Sequence, residues 1–181
     1  MKTDILLAAY QYAALSLNII PVCSGDHSGM TPNHRATCRS PGKQPLITNW
    51  PNNGVPDKQQ IDDWFRRWPT SNIGLVLGSP SGIVAIDIDG PFGHKELLHI
   101  SNGDIPETWQ FSTPGGGMRY LFSTPSNQIY KRFSISDPDP NSRHSELAFL
   151  GEGTYTVLPP SKHANGGIYT WIKAPNQSLL N

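Results

Sequence analysis

The sequence predicts an α+β fold, a mostly antiparallel sheet of short strands with few helices beside it. Three observations lead there. Only three segments carry helical spacing, eight short runs carry strand character, and 17 Gly and 17 Pro among 181 residues punctuate the chain between them. No fixed-period repeat interrupts this pattern, and few helices with many short strands fit α+β.

Each element has a local reason. Thr3 to Ser16 reads as a helix, with Thr3 as its cap and Ile5, Leu6, Ala9, Tyr12, Ala13 and Leu17 at helical spacing. Asn18 to Val22 reads as a short strand. Cys23 to Gly42 is polar and almost without aliphatic side chains, so it cannot bury a core and something else must order it. Lys43 to Pro56 is irregular, broken by Pro45, Pro51 and Pro56. Asp57 to Trp68 reads as a second helix. Asp57 caps it with Gln60 three residues on, and Ile61, Trp64, Phe65 and Trp68 form its apolar face. Sharing one face makes the two tryptophans core rather than a stacking platform.

From residue 72 the period changes to two. Ile73–Leu77 and Ile83–Asp89 are strand-like, joined by the hairpin-like turn Gly78-Ser79-Pro80-Ser81-Gly82. Gly93–Ile100 is a short helix. Trp109–Ser112, Met118–Ser123, Ser145–Leu150, Thr154–Leu158 and Ile168–Trp171 are five further strands. No internal boundary is visible, so residues 1–181 read as one domain.

Composition excludes several classes. No apolar run reaches 18 residues, so no transmembrane helix is expected, and Met1–Tyr10 lacks the features of a signal peptide. Two cysteines make no disulfide framework. Lys plus Arg and Asp plus Glu both count 14, and this neutrality weighs against a general nucleic-acid binder.

The chemistry-bearing segments are four. In Ile86-Asp87-Ile88-Asp89 the two aspartates point to one strand face, about 7 Å apart. They repel unless a hard divalent cation joins them; the bland alternative is a strand ending at a solvated turn. Glu146, within another strand-like run, either joins them or faces solvent. Gly115-Gly116-Gly117 with Arg119 is a hairpin loop or a phosphate cradle. Pro159-Pro160-Ser161-Lys162-His163 is a rigid polar turn. Cys23-x3-His27-x6-His34-x3-Cys38 offers four zinc ligands within 16 residues, in a segment with no core; a Cys23–Cys38 disulfide and free thiols are the alternatives.

In this order the segments resemble the bifunctional DNA primase–polymerase (prim-pol) domain of the archaeo-eukaryotic primase superfamily. The likeness runs from the first helix through Gly42-Lys43-Gln44-Pro45, Asn72-Ile73-Gly74, Asp87-Ile88-Asp89, Thr113 to Phe122 and Glu146. It ends with Pro159-Pro160-Ser161-Lys162-His163 and Gly167-Ile168-Tyr169. The resemblance implies an RRM-like catalytic sheet with flanking helices. It implies Mg²⁺ or Mn²⁺ held by Asp87, Asp89 and Glu146 as the catalytic acids. Lys43, Gly116, Gly117, Arg119, Ser161 and His163 resemble positions that bind the nucleotide. Some relatives carry a Cys/His zinc insert at about residues 23–42, which strengthens structural Zn²⁺ at Cys23, His27, His34 and Cys38. One departure stands out: the family usually has histidine where this chain has Arg119.

The expectation is therefore a cytoplasmic nucleotidyltransferase of plasmid or phage replication. It would act on single-stranded DNA template, primer and nucleoside triphosphates, as part of a longer protein with a fused or separate helicase and no membrane contact. The alternative is a weak or inactive nucleotide- or nucleic-acid-binding module, and a metal-dependent nuclease is a third reading. If metal neutralises three acids, 11 remain against 14 bases, which restores a modest attraction for DNA.

Overall fold

The computed structural model describes residues 4–125, 128–139 and 145–175. The elements, in chain order, begin with α1 (Asp4–Ala14), β1 (Ile19–Val22), α2 (Pro32–Thr37), a 3-10 turn (Trp50–Asn52), α3 (Lys58–Arg67) and β2 (Asn72–Val76). Then come β3 (Ile83–Ile88), α4 (Pro91–Ile100), β4 (Trp109–Ser112), β5 (Met118–Ser123), β6 (Phe133–Ser136), β7 (Ser145–Leu150), β8 (Tyr155–Leu158) and β9 (Thr170–Lys173). They form two compact units, Met1–Val76 with Tyr155–Thr170, and Leu77–Thr154 with Trp171–Asn181. The architecture is mixed α+β with antiparallel sheets, as expected. Among the described residues no helix is long and apolar enough to cross a membrane.

The first unit holds a three-stranded antiparallel sheet in the order β1-β2-β8. β2 is buried along its whole length, which matches its continuous Ile73-Gly74-Leu75-Val76 run. α1 buries Ala8, Ala9 and Tyr12, and the Tyr12 hydroxyl donates to the Pro159 carbonyl at 2.6 Å. Thr3, its expected cap, lies outside the described residues. α3 is capped as anticipated, with Asp57 Oδ1 accepting from the Gln60 amide at 2.8 Å. Ile61, Trp64 and Phe65 are buried, whereas Trp68 is the half-buried C-cap, with the Arg67 guanidinium 4.7 Å over its ring.

Two elements escape the periodicity argument. α2 lies inside the polar 23–42 segment and buries no residue, so it carries no apolar stripe to read. It starts instead on Thr31, whose hydroxyl accepts from the His34 amide at 3.2 Å, and on Pro32. β6 is an edge strand with Phe133, Ser134 and Ser136 exposed, so burial imposed little pattern on it. The last strand begins at Thr170 rather than Ile168, because Ile168 forms an isolated bridge with Lys162.

Asn72 braces three segments of the first unit. Its buried side-chain amide donates to the Gly42 carbonyl at 3.0 Å and the Lys162 carbonyl at 2.8 Å, and accepts from the Lys162 amide at 3.0 Å. It thereby ties the end of the Cys/His segment and the Pro-Pro-Ser turn to the sheet.

The second unit holds a six-stranded sheet in the order β6-β7-β3-β5-β4-β9, with β3 central. α4 covers one face, where Leu97 packs with Ile88 and Leu147, joined by Ile86, Ile105, Tyr120 and Ile135. The odd-numbered residues of β3, including Asp87, point to the opposite face.

Replacing Asn72 with alanine leaves three backbone partners without their bond, the buried Gly42 carbonyl and the carbonyl and amide of Lys162. The expected loss is about 2–3 kcal/mol of stability, read as a lower midpoint in urea unfolding.

Candidate active site and metal centre

The acidic site is built by register. β3 pairs with β7 on one side and β5 on the other, and β5 pairs with β4. This places Ala148, Asp87, Arg119 and Phe111 in one row across four strands, on one face. The next row begins where the Asp89 amide donates to the Glu146 carbonyl at 2.7 Å and the Thr113 amide to the Gly117 carbonyl at 2.9 Å. Continued register there aligns Glu146, Asp89, Gly117 and Thr113. A Cβ on Gly117 would collide with Asp89 Oδ1 and the Ile88 carbonyl, so this position has to be glycine. Small residues thus flank each aspartate, Ala148 beside Asp87 and Gly117 beside Asp89.

Each expected acid has a definite environment. Arg119 Nε donates to Asp87 Oδ1 at 3.0 Å, and Nη2 closes an ion pair on the same oxygen. These side chains are only 13% and 18% exposed for Arg119 and Asp87 respectively. The guanidinium carbon stands 6.0 Å from the ring centre of fully buried Phe111. Glu146 reaches the start of α4, where its Oε2 accepts from the amides of Phe92 at 2.8 Å and Gly93 at 3.2 Å. It satisfies two donors that the helix leaves open and sits at the positive end of the helix dipole. Gly90 and Gly93 leave the space that this carboxylate and its backbone occupy. The sequence reading did not find this cap, though Gly90-Pro91-Phe92-Gly93 directly after the acids was its signal. Gly116 (φ +89°) turns the β4–β5 hairpin, its amide donating to the Thr113 carbonyl at 3.0 Å.

In the first unit the Cys/His segment closes into a cluster. The donor atoms of Cys23, His27, His34 and Cys38 all lie within 4.8 Å of one another. The two sulfurs are 3.9 Å apart, far beyond a disulfide bond and close to the roughly 3.8 Å spanned by two Zn–S bonds at a tetrahedral centre. The rings of His27 and His34 meet edge to face at 5.3 Å, and the Nε2 atoms of both are buried without a hydrogen-bond partner. Two orphaned imidazole nitrogens beside two thiols are what a cation would satisfy. Burial pushes the Cys23 thiol up, opposed by hydrogen bonding to the Gln44 backbone and reinforced by Cys38. Burial, then His27, holds the His34 imidazole below its usual range, which favours the neutral, ligating form. Among the described residues this quartet is the group of three or more such side chains whose donors come this close; the three acids do not converge in the same way.

The other expected nucleotide ligands also belong to the first unit. Lys43 is exposed, and its carbonyl accepts from the Tyr155 hydroxyl at 2.6 Å. Ser161 is fully buried, its hydroxyl accepting from the Ile73 amide at 3.0 Å and donating to the Ile73 carbonyl at 3.5 Å. His163 is half-buried; its Nδ1 accepts from the Asn165 amide at 3.2 Å and its ring meets Tyr169 edge to face.

The chain is thus a mixed α+β domain with antiparallel sheets, in which two aspartates follow one another at the central strand of one sheet and four Cys/His side chains cluster closely enough to hold a metal. The family model described as bifunctional DNA primase/polymerase, N-terminal, matches residues 9–180, and the chain belongs to that family. The family is one of primase/polymerase-type nucleotidyltransferases, which use divalent metals and act on DNA and nucleotides. No curated protein matches the chain.

Glu146→Ala removes the anionic acceptor from the start of α4. A loss of about 1–2 kcal/mol is expected in thermal or urea unfolding, with no metal present.

Proposed function

We propose that this chain is a DNA primase/polymerase catalytic domain that joins nucleotides on a single-stranded DNA template. The observation that carries the reading is Asp87 on the central strand of the six-stranded sheet with Asp89 two residues on, just past that strand's end. That sheet corresponds to the RRM-like catalytic sheet of the resemblance. Hard carboxylate oxygens suit Mg²⁺ or Mn²⁺; Glu146, the third acid the resemblance implies, would have to turn from the α4 amides it now caps to join Asp87 and Asp89. Bound there, the metal would activate the primer 3′-hydroxyl and stabilise the leaving pyrophosphate. The chain's own groups position the substrates. Gly116 and Gly117 keep the hairpin beside Asp89 free of side chains, so a triphosphate can approach the backbone. Arg119 supplies a planar cation for phosphate, and Lys43 an exposed ammonium. His163 offers an imidazole, on a turn that Ser161 fastens to Ile73.

Zn²⁺ is our assignment for Cys23, His27, His34 and Cys38, supported by the sulfur separation and the two orphaned nitrogens. Its role is structural: it orders a segment that has no apolar core.

One observation favours a second reading. Asp87 is already engaged by Arg119, as in a module that binds nucleotide or nucleic acid without turnover. Primer extension with labelled nucleotides and Mg²⁺ or Mn²⁺ separates the two. Incorporation is expected, falling at least 10³-fold in Asp87→Ala/Asp89→Ala; binding without turnover under either metal would favour the second reading, and full activity in the double variant would remove the acids from the site.

Elemental analysis of purified protein should find about one zinc per chain. Chelation or Cys38→Ala should lower the melting temperature by several degrees. Metal-free protein with unchanged melting would contradict the assignment.

A further inference from the structure

We infer that Arg119 is a built-in cation that competes with a divalent metal for Asp87, so that metal enters the acidic site only as the guanidinium releases that carboxylate. The inference rests on the reading of Asp87 and Asp89 as metal ligands.

Its basis is the geometry of one oxygen. Arg119 Nε and Nη2 both address Asp87 Oδ1. A carboxylate oxygen has two lone pairs, so two N–H donors leave Oδ1 with none for a metal and only Oδ2, on the same carboxylate as the guanidinium, to bind one. The pair is also hard to avoid. Asp87 and Arg119 are direct cross-strand partners in the β3–β5 ladder, so the backbone holds them opposite each other. Both side chains are largely withdrawn from water, where the attraction is stronger than at a surface.

Charge sharpens the competition. A divalent ion on Asp87 would stand beside a guanidinium a few ångströms away and be repelled by it. The planar guanidinium also holds its place by addressing Asp87 with two N–H groups at once. Binding a metal at Asp87 therefore carries the free energy of opening the Arg119 pair, which lowers the apparent affinity by the fraction of time the pair is open.

The test reads metal binding rather than turnover. Mn²⁺ is titrated by electron paramagnetic resonance into the full chain, with the Cys/His cluster zinc-saturated. Arg119→Met and Arg119→His are compared with the parent, and folding is checked by near-ultraviolet circular dichroism. Both variants should bind Mn²⁺ at least tenfold more tightly, at a site abolished by adding Asp89→Asn. Unchanged or weaker affinity at that Asp89-dependent site would overturn the competition while leaving the acid assignment standing. Mn²⁺ binding indifferent to Asp89→Asn, or absent from the parent and both variants, would overturn the acid assignment and the competition with it. A measurement on the parent protein guards against misfolded variants. The Arg119 Nε–H resonance, slowed in exchange by Asp87, should exchange at least tenfold faster at saturating Mg²⁺. A resonance that keeps its protection at saturation contradicts the inference.

Discussion

Two like charges on one face of the central strand of a sheet have to be compensated, and much of the second unit answers that constraint. Asp87 is held on that face by strands on both sides of β3, and Asp89, just past the strand's end, is tied by its amide to the Glu146 carbonyl. The row containing Asp87 provides Arg119 as counter-charge and small Ala148 as its other neighbour. The row containing Asp89 provides Gly117, whose missing side chain leaves room for the carboxylate. Glu146, a third negative charge nearby, is drawn to the α4 amides, which in turn seat the helix over the far face. Charge compensation and architecture are thus one problem here: the arginine, the glycines and the start of the helix each remove part of the cost of collecting acids.

The first unit solves a different problem. A 20-residue polar segment that buries Met30 and Cys23 but has almost no aliphatic side chains is ordered by its ends and by its donors. Asn72 pins its far end, Thr31 and Pro32 start a one-and-a-half-turn helix, and four soft donors gather with two imidazole nitrogens unsatisfied. A metal at that point would do for this segment what a hydrophobic core does for α1 and α3.

Much of this was legible in the sequence for physical reasons. α3 carries both a cap and an apolar stripe, and β4 alternates buried and half-buried residues along its length. The four residues that cluster, Cys23, His27, His34 and Cys38, are recognisable because Cys and His have few structural reasons to recur in a polar segment. What stayed hidden was set by pairing rather than by local pattern. Nothing in the spacing of Asp87 and Arg119 says that they sit opposite each other, because register depends on hairpin length and on which strands become neighbours. Glu146 reads as a strand acid until the start of α4 is known to lie beside it. Ser161 reads as an exposed turn hydroxyl, yet it is wholly buried against Ile73. The division into two units is equally invisible, because the chain leaves the first unit at Val76 and returns at Tyr155 without a linker of distinctive composition.

The central claim is that the Asp87–Asp89 strand holds the catalytic metal. A crystal structure with Mn²⁺ and a non-hydrolysable nucleoside triphosphate, with anomalous data collected near the manganese and zinc edges, tests it most directly. A manganese peak is expected within bonding distance, roughly 2.2 Å, of carboxylate oxygens from both aspartates, with Arg119 withdrawn from Asp87 and a separate zinc peak inside the Cys/His quartet. Nucleotide bound with the Asp87–Arg119 pair intact and no manganese on either aspartate would contradict it.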